Sequence, residues 1–162
     1  MGNRETSEAP LRIILAAAVV GALSTATQAQ PSQVSYAAPE DVSAAIARSK
    51  AATALKAETI VAVSPFHMSV EYRANSTPAS LHEKNNELIN VIEGSGTMIV
   101  GGALKNEKRR DESNLNGSGI DGGKSIALVK GSYVFIPAGM PHYFASVGKD
   151  GLTITTIYIP RP

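Results

Sequence analysis

The sequence predicts an all-β domain, a small barrel or sandwich, with one short helix ahead of it. Three observations carry this prediction. From Thr59 onward, apolar residues alternate with polar ones or gather in short β-rich runs, the period of half-buried or buried strands. Gly, Pro, Asn and Ser clusters punctuate those runs at regular intervals, the turn pattern of sandwiches and barrels. The stretch with helical spacing is alanine-rich and lies before Thr59.

The elements follow in order. Residues 1–12 are polar and carry Arg4 and Arg12. Leu11 and Ile13 to Leu23 form a short apolar run, and Ser24 to Gln30 is small and polar. That order is the signature of a secretory signal peptide. Residues 1–29 are read as a leader cut after Ala29, with Ala26 as the alternative, and the product as a periplasmic or secreted domain with no membrane segment of its own. The apolar run is shorter than the roughly 18 residues a membrane span needs.

Residues 30–58 are read as a linker and a helix. Pro39-Glu40-Asp41 suits a helix start, and Val42, Ala45 and Ile46 follow at helical spacing, with alanine-rich sequence to about Lys56. The weak apolar face puts this helix on the outside of the domain.

Residues 59–162 form the predicted β domain. Ile60 and Ala62, then Phe66, Met68, Val70 and Tyr72, alternate with polar residues; Asn75 to Pro78 is a turn. Leu88 to Ile92 is a strand ending at Glu93-Gly94-Ser95-Gly96, which reads as a hairpin with Thr97 to Val100 returning. Lys105 to Lys124 has no apolar period and reads as a long loop, a lid or a disordered insertion. Ile126 to Val129, Tyr133 to Ile136, Tyr143 to Val147 and Leu152 to Ile159 are the remaining strands.

Composition narrows the chemistry. The 162 residues hold 15 basic and 14 acidic side chains and no cysteine. Disulfides, thiolate metal sites and cysteine nucleophiles are excluded. The basic excess of a nucleic-acid binder is missing, so no nucleic-acid partner is expected. Gly117 to Gly122 matches the G-x-G-x-x-G string, but no strand–helix pattern surrounds it, as dinucleotide binding requires.

The informative residues are His82, Glu87 and His142. Imidazole and carboxylate are ligands for zinc, iron, manganese and nickel. Ser80-Leu81-His82 is followed by four residues, Glu87, six residues and Gly94. Gly131 is followed by five residues, Pro137-Ala138-Gly139, two residues, His142, three residues and Ser146. These spacings resemble the two motifs of the cupin superfamily, G-x5-H-x-H-x3–4-E-x6-G and G-x5-P-x-G-x2-H-x3-N, across about residues 60–160.

The resemblance implies a single cupin domain, a small β-barrel or jelly roll, with His82, Glu87 and His142 holding one divalent metal ion (Fe, Mn, Ni or Zn). Two departures stand out. Ser80 occupies the place of the first-motif histidine, and Ala74 that of the first-motif glycine. His67 is the only other histidine in the chain. It shares a strand face with Ser69 and Glu71, read as outward.

Ser80, Ile89, Val91, Met98, Phe135 and Phe144 are candidate pocket residues. No catalytic acid–base pair is legible; Glu83 is near the site in sequence only. The resemblance implies a metal-dependent enzyme on a small oxygenated molecule, of dioxygenase, isomerase or lyase type. The alternative is a non-catalytic ligand-binding barrel with a degenerate metal site. Cupins commonly dimerise, and the strand Ile60 to Val63 is apolar enough to serve a homodimer.

Overall fold

The computed structural model of the chain describes residues 34–161. The leader expected over residues 1–29 lies outside the described residues, as does the start of the linker. Among the described residues no helix is long and apolar enough to cross a membrane.

The alanine-rich segment forms α1, Pro39–Ala51. Pro39 opens it, where a missing N–H costs no hydrogen bond. The Asp41 carboxylate accepts from Ala38 N–H at 3.3 Å, and Arg48 and Lys50 sit in the last turn, favourable for the helix dipole. The helix stops before Lys56, earlier than its propensity predicts. Ser49 Oγ donates to Lys56 O at 2.8 Å and accepts from Tyr72 N–H at 2.8 Å. This buried hydroxyl turns the chain back and ties the helix to the sheet.

Eleven strands follow: β1 Ala57–Val63, β2 Phe66–Arg73, β3 Ala79–His82, β4 Asn85–Val100, β5 Ala103–Lys105, β6 Lys108–Asp111, β7 Asn114–Gly117, β8 Gly119–Asp121, β9 Lys124–Val129, β10 Tyr133–Ile136 and β11 His142–Pro160. The main sheet runs β1-β2-β11-β3-β7-β6, and β4 pairs β9, β10 and β11; β5 and β8 form a separate ribbon. The all-β domain with its N-terminal helix is as the sequence predicts.

Three local expectations are corrected. The first concerns Gly94. Residues 93–96 make no hairpin; β4 runs through them, and both its halves pair with the long β11. Gly94 has φ +81°, and a Cβ there would lie 2.0 Å from Gly151 O, itself at φ +80°. The two glycines face each other where the paired strands bend together, so the expected turn is a bulged bend. The separate strands expected before and after residue 150 are likewise one strand.

The second concerns residues 105–124. They form β6, β7 and β8 rather than an open loop, with β7 paired to β3 and β6 to β7. Polar side chains hid this because β6 is exposed throughout, and a solvated edge strand needs no apolar face. The G-x-G-x-x-G string falls on β7 and β8, with no helix after it.

The third concerns the faces of β2. Ser69 and Glu71 are buried and face the barrel interior, whereas the sequence placed that face outward. Val70 and Tyr72 lie on the other face, beside α1. The polar interior and helix-covered exterior invert the usual pattern.

Along the inward face of β4 the side chains run Glu87, Ile89, Val91. Along β11 they run Tyr158, Thr156, Ile154, Leu152. Each strand grades from polar to apolar in steps of roughly 7 Å per residue pair. The apolar end is the core: Ile89, Val91, Met98, Leu128, Ile136, Phe144, Leu152 and Ile154. The polar end opens into a cavity.

Candidate metal centre

His82 ends β3, Glu87 lies near the start of β4, and His142 begins β11. The turn between β10 and β11 aligns them. Gly139, at φ +80°, lets the chain reverse; its N–H donates to His82 O at 2.8 Å. Ala138 N–H donates to Asn86 Oδ1 at 3.0 Å. The turn that carries His142 is therefore bonded to the segment that carries the other two residues.

The three side chains converge. Glu87 Oε2 lies 3.0 Å from His142 Nε2 and 3.7 Å from His82 Nε2. One donor atom from each lies within 4.8 Å of the others. Glu87 and His142 are buried, at 3% and 5% exposure.

Hydrogen bonds fix both tautomers. His142 Nδ1 lies 3.1 Å from Met140 O; a carbonyl only accepts, so Nδ1 carries the proton. His82 Nδ1 lies 2.5 Å from Asn114 Oδ1. The Asn114 amide orientation is set by Nδ2, which donates to Asp111 Oδ1 at 2.7 Å, so here too Nδ1 donates. Both Nε2 atoms then face Glu87.

Burial pulls the His82 imidazolium down, against the Asn114 hydrogen bond and the Glu87 charge, so the ring stays neutral. Burial pushes Glu87 up, but His142, His82 and Arg73 outweigh it and hold the carboxyl below its usual value. Two imidazole Nε2 atoms and one carboxylate oxygen thus meet at one point. Among the described residues Glu87 Oε2 has no hydrogen-bond partner. Burying such an acceptor bare costs several kcal/mol. A divalent cation fits this donor set and would offset that cost.

The cavity above these residues has a volume of about 700 Å³. Ser80, Phe144, Glu71, Arg73 and Tyr158 line it, with the chain just after α1 at its rim. Ser80 stands between His142 and Asn116 in the strand register. Of the candidate pocket residues, Ser80 and Phe144 are on the wall. Ile89, Val91 and Met98 are instead in the closed core, because each strand step carries the face away from Glu87. Phe135 is 56% exposed: it pairs with Leu88, while Ile136 pairs with Glu87, so its parity is outward.

His67 is exposed and packs its ring 5.4 Å from Tyr158, outside the cluster. Glu83 turns to Arg109, held at 2.8 and 3.0 Å. Sequence reasoning missed Glu71, Arg73, Asn114 and Tyr158. The first two sat on a face assigned outward, and Asn114 sat in a supposed loop. No sequence signal marked Tyr158; its ring stands edge-on to His82 at 5.3 Å.

Comparison with protein-family models gives no match, and comparison with curated proteins gives none. Solved structures do match. The cupin domain of Schizosaccharomyces pombe Cnp3 aligns with a TM-score of 0.50 and 14% identity, over 66% of this chain and 61% of that one. The TT1209 protein of Thermus thermophilus aligns at 0.48 and 16% identity, over 67% and 85%. The DMSP lyase DddQ of Ruegeria pomeroyi aligns at 0.46 and 14% identity, over 64% and 46%. The chain thus spans less than two thirds of two of these three structures. Its fold is that of the Cnp3 cupin domain, and it carries a His–Glu–His cluster suited to a metal ion.

Proposed function

We propose that this cupin domain binds a divalent metal ion through His82, Glu87 and His142 and takes a small oxygenated molecule in the cavity. The observation that carries the reading is the convergence of two Nε2 atoms on the buried Glu87 Oε2, with both Nδ1 atoms hydrogen-bonded elsewhere. When bound, the ion would act as a Lewis acid on a ligand oxygen. Three protein ligands leave open positions, the pattern of a reactive rather than a structural centre. The leader pattern of residues 1–29 supports a periplasmic or secreted location.

Ser80 favours a second reading, binding without turnover, because it puts a neutral hydroxyl where the cupin pattern has a ligand. Glu87→Gln separates the two: it abolishes a metal-dependent activity but leaves ligand uptake by a metal-free barrel.

A homodimer is part of the proposal. On the outer sheet face Phe135, Leu88, Ile157, Met68 and Val61 stand in register across five strands. This apolar row has the character of a self-association surface.

The test is metal content of the domain, purified without chelator or histidine tag and incubated with iron, manganese, nickel or zinc. Near-stoichiometric metal in the parent, lost in His82→Ala and His142→Ala, is the expected result. A parent that holds none after incubation refutes the metal centre.

A further inference from the structure

Arg73 is the cavity's least explained residue. Its side chain is only 11% exposed. Nη2 donates to Glu71 Oε2 at 2.5 Å, and the guanidinium stacks over the Phe144 ring at 4.2 Å. Among the described residues Nε has no partner. A guanidinium offers five N–H donors in a planar fork, and the Glu71 contact uses one of them. The core could have placed an apolar residue here at less cost, since a buried ion pair is weak evidence of a stabilising role.

Charge in the cavity gives Arg73 a task. The other two cations on the wall are committed: Lys50 to Glu93 at 2.6 Å and Arg110 to Asp111 at 3.2 Å. Arg73 and Glu71 balance each other. Among the described residues Glu87 is then the wall carboxylate without an Arg or Lys partner. With a divalent ion on Glu87, one positive charge is left over in a largely buried site. A buried net charge is costly until a counter-charge arrives, so the ligand that completes the site is a monoanion.

The polar groups describe that monoanion further. Ser80 leaves a position beside His142 for a ligand oxygen. Asn116, next to Ser80 in register, has a buried Oδ1 with no partner among the described residues, an acceptor that calls for a hydroxyl donor. The Arg73 fork calls for a carboxylate.

We propose that Arg73 is the recognition group for a small hydroxycarboxylate, one carboxylate and a neighbouring hydroxyl on the same molecule. The charge balance rests on the metal reading above; the Arg73 fork and the Asn116 acceptor do not.

Calorimetric titration of the zinc-loaded domain with lactate and with its neutral counterpart lactamide tests this. Lactate is expected to bind at least about tenfold more tightly than lactamide, the scale of one charge-assisted hydrogen bond. Arg73→Gln is expected to remove that preference while still taking up one zinc. Equal binding of acid and amide by the parent, a comparison needing no variant, overturns the proposal. So does a folded Arg73→Gln that keeps the preference. If the parent takes up no zinc yet prefers lactate, and Arg73→Gln loses this, the metal reading fails and the anion site stands. Binding of neither compound in either form overturns the anion site.

Discussion

Asn114 shows how much of the site depends on single atoms. It supplies no candidate donor atom itself, yet its Oδ1 holds the His82 proton on Nδ1 and so aims Nε2 at Glu87. Asp111 in turn holds Asn114. The Asp111 carboxyl is lowered from 3.8 to about 2, first by the Ser113 N–H and then by Asn114. Because its folded value is depressed, its contribution is in place above about pH 4 and lost as pH falls through about 2. The relay therefore stands at any pH where imidazole is neutral. Asn114→Ala is expected to weaken zinc binding about 10–100-fold, as removal of a partner behind a metal-binding histidine does. Competition against a chelator measures it, and unchanged affinity refutes the positioning role. Asn114 was not legible in the sequence, since it lies in a polar stretch without period. His82, Glu87 and His142 were legible because motif spacing survives where patterning fails.

The elements were legible in proportion to their apolar content. β4, β9, β10 and β11 bury apolar side chains, and their period announced them. β6 and β7 gain their order from backbone pairing with β3 and from the Arg109–Glu83 and Lys84–Glu112 bridges, which leave no period to read. β2 was found but turned over, because an interior that buries Ser69 and Glu71 reverses the rule that polar means outward. Gly94 was singled out correctly and given the wrong geometry. Its role as the bend opposite Gly151 gives a prediction at this scale. Gly94→Ala adds a left-handed strain of roughly 1–2 kcal/mol and a clash with Gly151 O. Gly131, at φ +87° with open space around it, carries the strain alone. Urea unfolding is therefore expected to show Gly94→Ala less stable than Gly131→Ala by about 1 kcal/mol or more. Equal losses would mean that the two long strands bend freely.

On the scale of the whole molecule, the candidate metal centre couples the consecutive strands β3 and β4 to β11, far along the chain. The β10–β11 turn bonds to His82 O and Asn86, so the centre closes only when β3, β4 and β11 are all in place. An ion bound there is absent from the unfolded chain, and its binding energy adds to folding stability. At a free metal concentration of 100 times Kd the gain is about 2.7 kcal/mol, or roughly 10 °C in Tm for a domain of this size. Without metal the folded protein carries the bare Glu87 oxygen as a cost. Scanning calorimetry in excess zinc and in EDTA is expected to show this difference in the parent. His142→Ala is expected to give the same Tm in both solutions, because the third ligand is gone. Zinc binding elsewhere on the surface would raise the variant as much as the parent. A parent indifferent to zinc and EDTA would leave the buried carboxylate facing two imidazoles without its cation.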